Sequence, residues 1–76
     1  MADKYNIEIP GHAILCRAAV APDTTVVLVD RPGEPYMVGL YNHVSKEFTS
    51  RGTIAEYVPA LRVFALDVTT FAKPRA

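Results

Sequence analysis

Short apolar runs alternate with turn-forming residues along this chain, which is the pattern of a small sheet protein. Tyr5–Ile9 alternates apolar and polar positions, which predicts a short half-buried strand. Thr25–Val29 is β-branched or apolar throughout and predicts a buried strand. Tyr36–Tyr41 and Glu47–Arg51 follow as two further strands. Because short connections join the last three strands, we expect them to form an antiparallel meander.

Both connections of this meander carry residues that favour tight turns. The first, Asp30–Pro35, has Pro32 and Gly33 at its centre, which fits a type II turn because Pro fixes φ and Gly takes the positive φ. The second, Asn42–Lys46, is also short. A further Pro-Gly pair, at residues 10 and 11, ends the first predicted strand.

His12–Ala21 fits two structures. Its four alanines, with Leu15 and Arg17, favour a helix by propensity, and ten residues are just enough for one. Gly11 is the only plausible N-cap, so a strand stays open as the alternative. We favour a short first helix, and this choice decides how many faces of the sheet are covered.

The C-terminal part of the chain predicts one amphipathic helix. Thr53 and Glu56 have the spacing of a capping box. Pro59 conflicts with this prediction, because at the sixth helical position it deletes a backbone donor and should kink the helix. The alternative is a strand over Arg62–Thr69, where β-branched residues are frequent, and residues 72–76 are expected to be a frayed tail. The apolar stripe, at spacings of three and four residues, consists of Ile54, Tyr57, Leu61, Phe64, Val68 and Phe71.

The predicted sheet is apolar on both faces. Alternation places Tyr36 and Val38 on one face and Met37 and Tyr41 on the other. A sheet with one wet face should carry polar residues there, and this one does not. The C-terminal helix can cover only one face. The face with Met37, Tyr41 and Phe48 therefore either meets another chain or lies under the first helix.

The composition of the chain is typical of one small globular domain, and we expect this domain to span residues 1–76. Half of the residues are hydrophobic and 21% are charged. A domain of this size buries only about 60% of its unfolded surface, so it usually needs disulfides, metals or oligomerisation. Cys16 is the only cysteine, so an internal disulfide is excluded. Association, either as a homodimer or with a partner protein, remains as the source of additional stability. The mean hydropathy of +0.13 also favours association.

The charge balance and the segments that could direct the chain to a membrane or out of the cell argue against several other classes of protein. Eight Lys and Arg balance eight Asp and Glu, so no net field attracts nucleic acid. The predicted element order resembles that of double-stranded-RNA-binding domains, but Gly52–Tyr57 is acidic where those carry a lysine cluster. Apolar runs of four or five residues predict no membrane span. Because Met1–Tyr5 is not a signal peptide and the lone cysteine suits a reducing compartment, we expect a cytoplasmic protein.

Candidate chemistry is sparse. His12 and Cys16 would be neighbours on a helix, yet no third group orients them, and a cysteine in an apolar run is typically buried. His12 and His43 lack the spacing of metal ligands, and His43 should be solvated in its turn. Asp30 and Glu34 flank a loop, where charges usually serve solubility. We expect no enzyme, no metal and no cofactor.

One stretch resembles a known family. The strands from residue 36 and the segment Gly52-Thr-Ile-Ala-Glu56 resemble antitoxins with a partial RNase H-like fold, over residues 36–68. Those antitoxins carry a Gly-Asp-Thr-x-x-Glu-Ala segment between sheet and helix. This chain lacks the Asp and has Tyr57 in place of the Ala. A capping box after a hairpin accounts for the same residues.

Together these features predict a small α+β protein, an antiparallel sheet of three to four strands packed by a C-terminal helix, that binds another protein stoichiometrically without catalysis. By analogy of size, it would be a phage or mobile-element inhibitor, such as one acting on a CRISPR effector complex. The alternatives are a structural homodimer, an antitoxin-like accessory protein and a small nucleic-acid-binding domain. Aromatic, Met and Arg side chains are enriched at interface centres, although Tyr36 and Phe48 could equally be core. The expected partner-binding residues are Tyr36, Met37, Tyr41, His43, Lys46, Phe48 and Arg51.

Overall fold

Four strands and one helix make up the computed structural model, which describes residues 7–72. The strands form one antiparallel sheet in the order β1-β2-β3-β4, and the helix packs on one face of it. The predicted α+β fold with a C-terminal helix is confirmed. The elements are β1 (Ala13–Ala21), β2 (Thr24–Asp30), β3 (Tyr36–Asn42), β4 (Glu47–Ile54) and α1 (Tyr57–Phe71).

The helix predicted over His12–Ala21 is wrong, because β1 occupies this segment. Strand β1 pairs with β2 from Ala13 opposite Asp30 to Ala21 opposite Thr24. The centre of β2 is buried on both faces, which is typical of a strand in the interior of a sheet, and β1 is its second neighbour beside β3. Pairing with β2 satisfies the backbone of β1 and outweighs the helix propensity of its alanines.

The loop between β2 and β3 adopts the predicted turn. The N–H of Glu34 donates to the carbonyl of Arg31 at 3.0 Å, and Gly33 between them has a φ of 81°. Pro32 before it supplies the fixed φ, so the pair fits a type II turn. A second Pro-Gly turn precedes β1, where the N–H of His12 donates to the carbonyl of Ile9 at 3.0 Å.

Helix α1 begins later than the sequence pattern predicted. Thr53 and Ile54 are the last residues of β4, and the N-cap is Glu56, whose side chain makes no capping hydrogen bond. The predicted capping box is therefore wrong. Pro59 is the third helical residue, where the backbone N–H has no intrahelical partner in any case. The N–H of Ala60 makes the first helical bond, to Glu56 at 3.1 Å, so Pro59 requires no kink.

The core on the helix face of the sheet includes five of the six residues of the predicted stripe. Val26, Leu28 and Val38 are fully buried there, together with Ala60 of α1. Tyr57, the first helical residue, remains 44% exposed. The stripe residues that pack from α1 onto this core are Leu61, Phe64, Val68 and Phe71.

The opposite face, called the far face below, is closed by the chain segment before β1. Val27 and Val29 are fully buried on it, and Ile7 joins their cluster with only 6% of its surface exposed. A first helix, one of the two alternatives for covering this face, is absent from residues 7–12, which have non-strand conformation and pack Ile7 and Ile9 on it. The strand predicted at Tyr5–Ile9 is wrong for residues 7–9, and Tyr5 and Asn6 lie outside the described residues. Of the predicted tail, only Ala72 is described, and its N–H donates to the carbonyl of Val68.

Candidate interaction surface

The seven residues predicted to bind a partner lie in three different places. Tyr36 and Arg51 are on the helix side of the sheet. The rings of Tyr36 and Tyr57 lie 5.6 Å apart, and the guanidinium of Arg51 lies 4.8 Å from the ring centre of Phe71. Tyr36 thus contacts the first residue of α1 and Arg51 contacts the last one. The side chain of Arg51 nevertheless remains exposed.

Met37, Tyr41 and Phe48 lie on the far face. Tyr41 is only 4% exposed and belongs to the cluster of Val27 and Val29, so it is a core residue. Phe48, opposite Tyr41 in the register, lies over the backbone of the neighbouring strand at Gly39. Met37 and Phe48 are partly buried against the same cluster.

His43 and Lys46 lie in the connection between β3 and β4. We call residues 43–46 the hairpin tip. The side-chain oxygen of Asn42 accepts hydrogen bonds from the backbone N–H groups of Val44 at 2.8 Å and Ser45 at 3.0 Å. Lys46 has a φ of 59°, the left-handed conformation that returns the chain into β4. These bonds give the tip an ordered conformation.

His43 anchors the hairpin tip to the neighbouring strand. Its Nε2 atom is hydrogen-bonded to Oγ1 of Thr25, 2.7 Å away, and its backbone N–H donates to the carbonyl of Asp23 at 2.8 Å. The imidazole also meets the ring of Tyr41 edge-on, with the centroids 5.2 Å apart. The expectation that His43 is simply solvated is therefore wrong. Its half-buried side chain fixes the base of the tip.

Val44 is the feature of this surface that the sequence prediction missed. It is 79% exposed, more than the four other large hydrophobic side chains exposed among residues 7–72. The signal in the sequence was an apolar residue between turn-forming neighbours, Asn42-His43 before it and Ser45-Lys46 after it. The ordered tip thus presents a valine to solvent, with the exposed Lys46 beside it.

The pairs considered for catalysis and metal binding are not supported by the geometry. Residues four apart along extended chain are about 13 Å apart, so the strand conformation separates His12 from Cys16. Nδ1 of His12 lies 2.9 Å from the carbonyl of Pro10, whereas Cys16 packs on the helix-side core. Among residues 7–72, no three His, Cys, Asp or Glu side chains form a group that could hold a metal ion. Within the same residues, α1 is too short to cross a membrane.

No protein-family model, curated protein or solved structure matches this chain.

Proposed function

We propose that this chain is a non-enzymatic protein-binding module that contacts its partner, in a fixed stoichiometry, through the hairpin tip. The observation that carries the proposal is Val44, a valine 79% exposed on a turn fixed by side-chain hydrogen bonds. Burying such a side chain in a partner pocket is favourable by about 1.5–3 kcal/mol. Because the tip is already ordered, little conformational entropy is lost on binding.

The predicted residues take different roles in this proposal. Lys46, in the tip, is exposed and supplies positive charge beside Val44, and Arg51 is exposed further along β4. His43 and Tyr41 do not contact the partner but stabilise the base of the tip. His43 is hydrogen-bonded to Thr25, and Tyr41 packs against the ring of His43 and in the far-face core. Contact with the partner is thus assigned to the tip and the exposed side of β4.

The biological form that we propose is stoichiometric inhibition of a larger protein complex in the cytoplasm. The exposed Val44 on an ordered tip supports this role, because it offers a preformed surface for binding another protein. An antitoxin-like accessory protein would bind in the same stoichiometric way, so the identity of the captured partner distinguishes the two.

The test is affinity capture with Val44→Glu and a matched control, Val58→Glu. Val58 is also an exposed valine, 57% exposed, but lies in the first turn of α1, where an acidic residue suits the helix. Each tagged variant is incubated with nuclease-treated lysate of the source cell or its host, and the bound proteins are quantified by mass spectrometry. Nuclease treatment removes capture through bridging nucleic acid.

We expect the wild-type chain and Val58→Glu to retain one partner at a fixed molar ratio, and Val44→Glu to lose at least nine tenths of it. Circular dichroism should show the same fold for all three chains. Undiminished capture by Val44→Glu would contradict the proposed surface. A wild-type chain that retains no protein at a fixed ratio would contradict the proposed function.

A further inference from the structure

The helix face of the sheet carries a small groove at the end where the hairpin tip lies. Alternation places Thr24, Asn42 and Glu47 in one row across β2, β3 and β4, on the same face as Leu40. Helix α1 packs on the apolar core of this face, and none of its residues lines the groove. The groove has a volume of about 270 Å³ and is lined by Thr24, Leu40, Asn42, Ser45, Glu47 and Thr49.

The lining combines one apolar side chain with several polar ones. Leu40 is half-buried and offers a hydrocarbon surface, whereas Ser45 and Thr49 are exposed beside it. Within residues 7–72, the hydroxyl groups of Ser45 and Thr49 make no hydrogen bond, so both can accept one from a bound group. Pockets for small molecules usually start at about 300 Å³, so this groove has the size for a single side chain.

The charge of the groove is negative. Glu47 is the one charged residue in the lining, and no ion pair or side-chain hydrogen bond from residues 7–72 engages its carboxylate. A second carboxylate lies at the other end of the row, where Oγ1 of Thr24 donates to Oδ1 of Asp23 at 3.1 Å. Lys46 precedes Glu47 in the tip but does not line the groove. The groove therefore favours a cationic group over a neutral or anionic one.

The groove is continuous with the hairpin tip. Asn42 lines the groove, and its side-chain oxygen also accepts the two backbone hydrogen bonds that fix Val44 and Ser45. Ser45 belongs to both the tip and the groove. A partner that buries Val44 therefore brings its own surface over the groove.

We propose that the groove receives an arginine side chain of the partner protein, next to the partner pocket that buries Val44. The inference rests on the function proposed for the hairpin tip and adds the chemistry of the partner. The aliphatic part of the arginine lies on Leu40, and the guanidinium donates to the carboxylate of Glu47 and to the hydroxyl groups beside it. Arginine fits better than lysine, because its planar group carries five donors and is less strongly hydrated.

The first test uses N-acetyl-arginine methylamide as the probe and its citrulline analogue, which has a neutral group of the same shape, as the control. NMR titration should show saturable shifts at the amides of Leu40, Ser45 and Thr49 with the arginine probe alone. Glu47→Gln should weaken binding of the probe by about two- to fivefold. Glu34→Gln is the matched control, since Glu34 is exposed in the turn at the opposite end of the sheet. Equal shifts with both probes, equal effects of both substitutions, or no saturable shift would overturn the proposal.

The second test measures the affinity of the captured partner for Glu47→Lys and Glu34→Lys, which change the net charge equally. We expect Glu47→Lys to raise the dissociation constant by about two- to thirtyfold, because a repulsion replaces an attraction, and Glu34→Lys to leave it unchanged. Unchanged affinity of Glu47→Lys, together with loss of capture by Val44→Glu, would overturn the arginine site and leave the proposed function intact. If the wild-type chain captures no partner, the proposed function fails, and the titration alone decides whether the groove binds arginine.

Discussion

At Gly39 the far face of the sheet is closed by an aromatic ring that lies directly on backbone. A Cβ added there would lie 2.7 Å from Cε1 of Phe48 and would collide with the carbonyl oxygen of Thr49. The glycine therefore admits Phe48 into the cluster of Val27, Val29 and Tyr41. Alternation along β3 correctly predicted which side chains share a face. The close approach itself depends on the register with β4, which single-sequence patterns do not fix.

Gly39→Ala should therefore destabilise the chain by about 1–3 kcal/mol, because a rigid backbone atom and a packed ring both oppose the new methyl group. Gly52→Ala is the matched control, since its added Cβ meets nothing within 4 Å. Urea unfolding followed by circular dichroism measures both. Equal stability of the two variants would show that Phe48 does not lie over Gly39 as described.

At the scale of elements, two of the wrong predictions have a common cause. Both His12–Ala21 and Thr53–Glu56 carry local helix signals, yet β1 occupies Ala13–Ala21, and Thr53 and Ile54 belong to β4. In each case, strand pairing satisfies a whole row of backbone groups, which outweighs the few tenths of a kcal/mol per residue that propensity supplies. The turn at Pro32-Gly33 was predictable because its geometry depends on two adjacent residues only.

Pro59 gives a direct test of where α1 begins. As the third residue of a helix starting at Tyr57, it costs no hydrogen bond, so Pro59→Ala should change stability by less than about 1 kcal/mol. In a helix starting at Ile54, the same substitution would restore an interior bond and stabilise by about 3 kcal/mol. Thermal and urea unfolding distinguish these results. A gain near the larger value would contradict the observed start.

At the scale of the whole molecule, the sheet buries both faces within the chain and leaves its two edges with different chemistry. The apolar character of both faces was predictable from alternation. What covers the far face was not, because Ile7 and Ile9 reach it only through the turn at Pro10-Gly11. The separation of those predicted binding residues that lie on β3 and β4 follows from the same alternation, since neighbours along a strand point to opposite sides.

The surface through which we propose that the chain binds its partner is the hairpin tip, where Val44 is exposed on a turn fixed by hydrogen bonds. The backbone N–H groups of Val44 and Ser45 donate to the side chain of Asn42 in the free chain. Alternation directs the amides of Phe48 and Ser50 outward from β4, so these two serve as an internal control for amides that do not bond to β3.

Amide hydrogen exchange, followed residue by residue by NMR on the wild-type chain, compares the two pairs of amides in one experiment. We predict slower exchange at Val44 and Ser45 than at Phe48 and Ser50. Exchange at Val44 and Ser45 as fast as at Phe48 and Ser50 would contradict the proposed binding surface, because it would show that the tip is not held in one conformation before it binds.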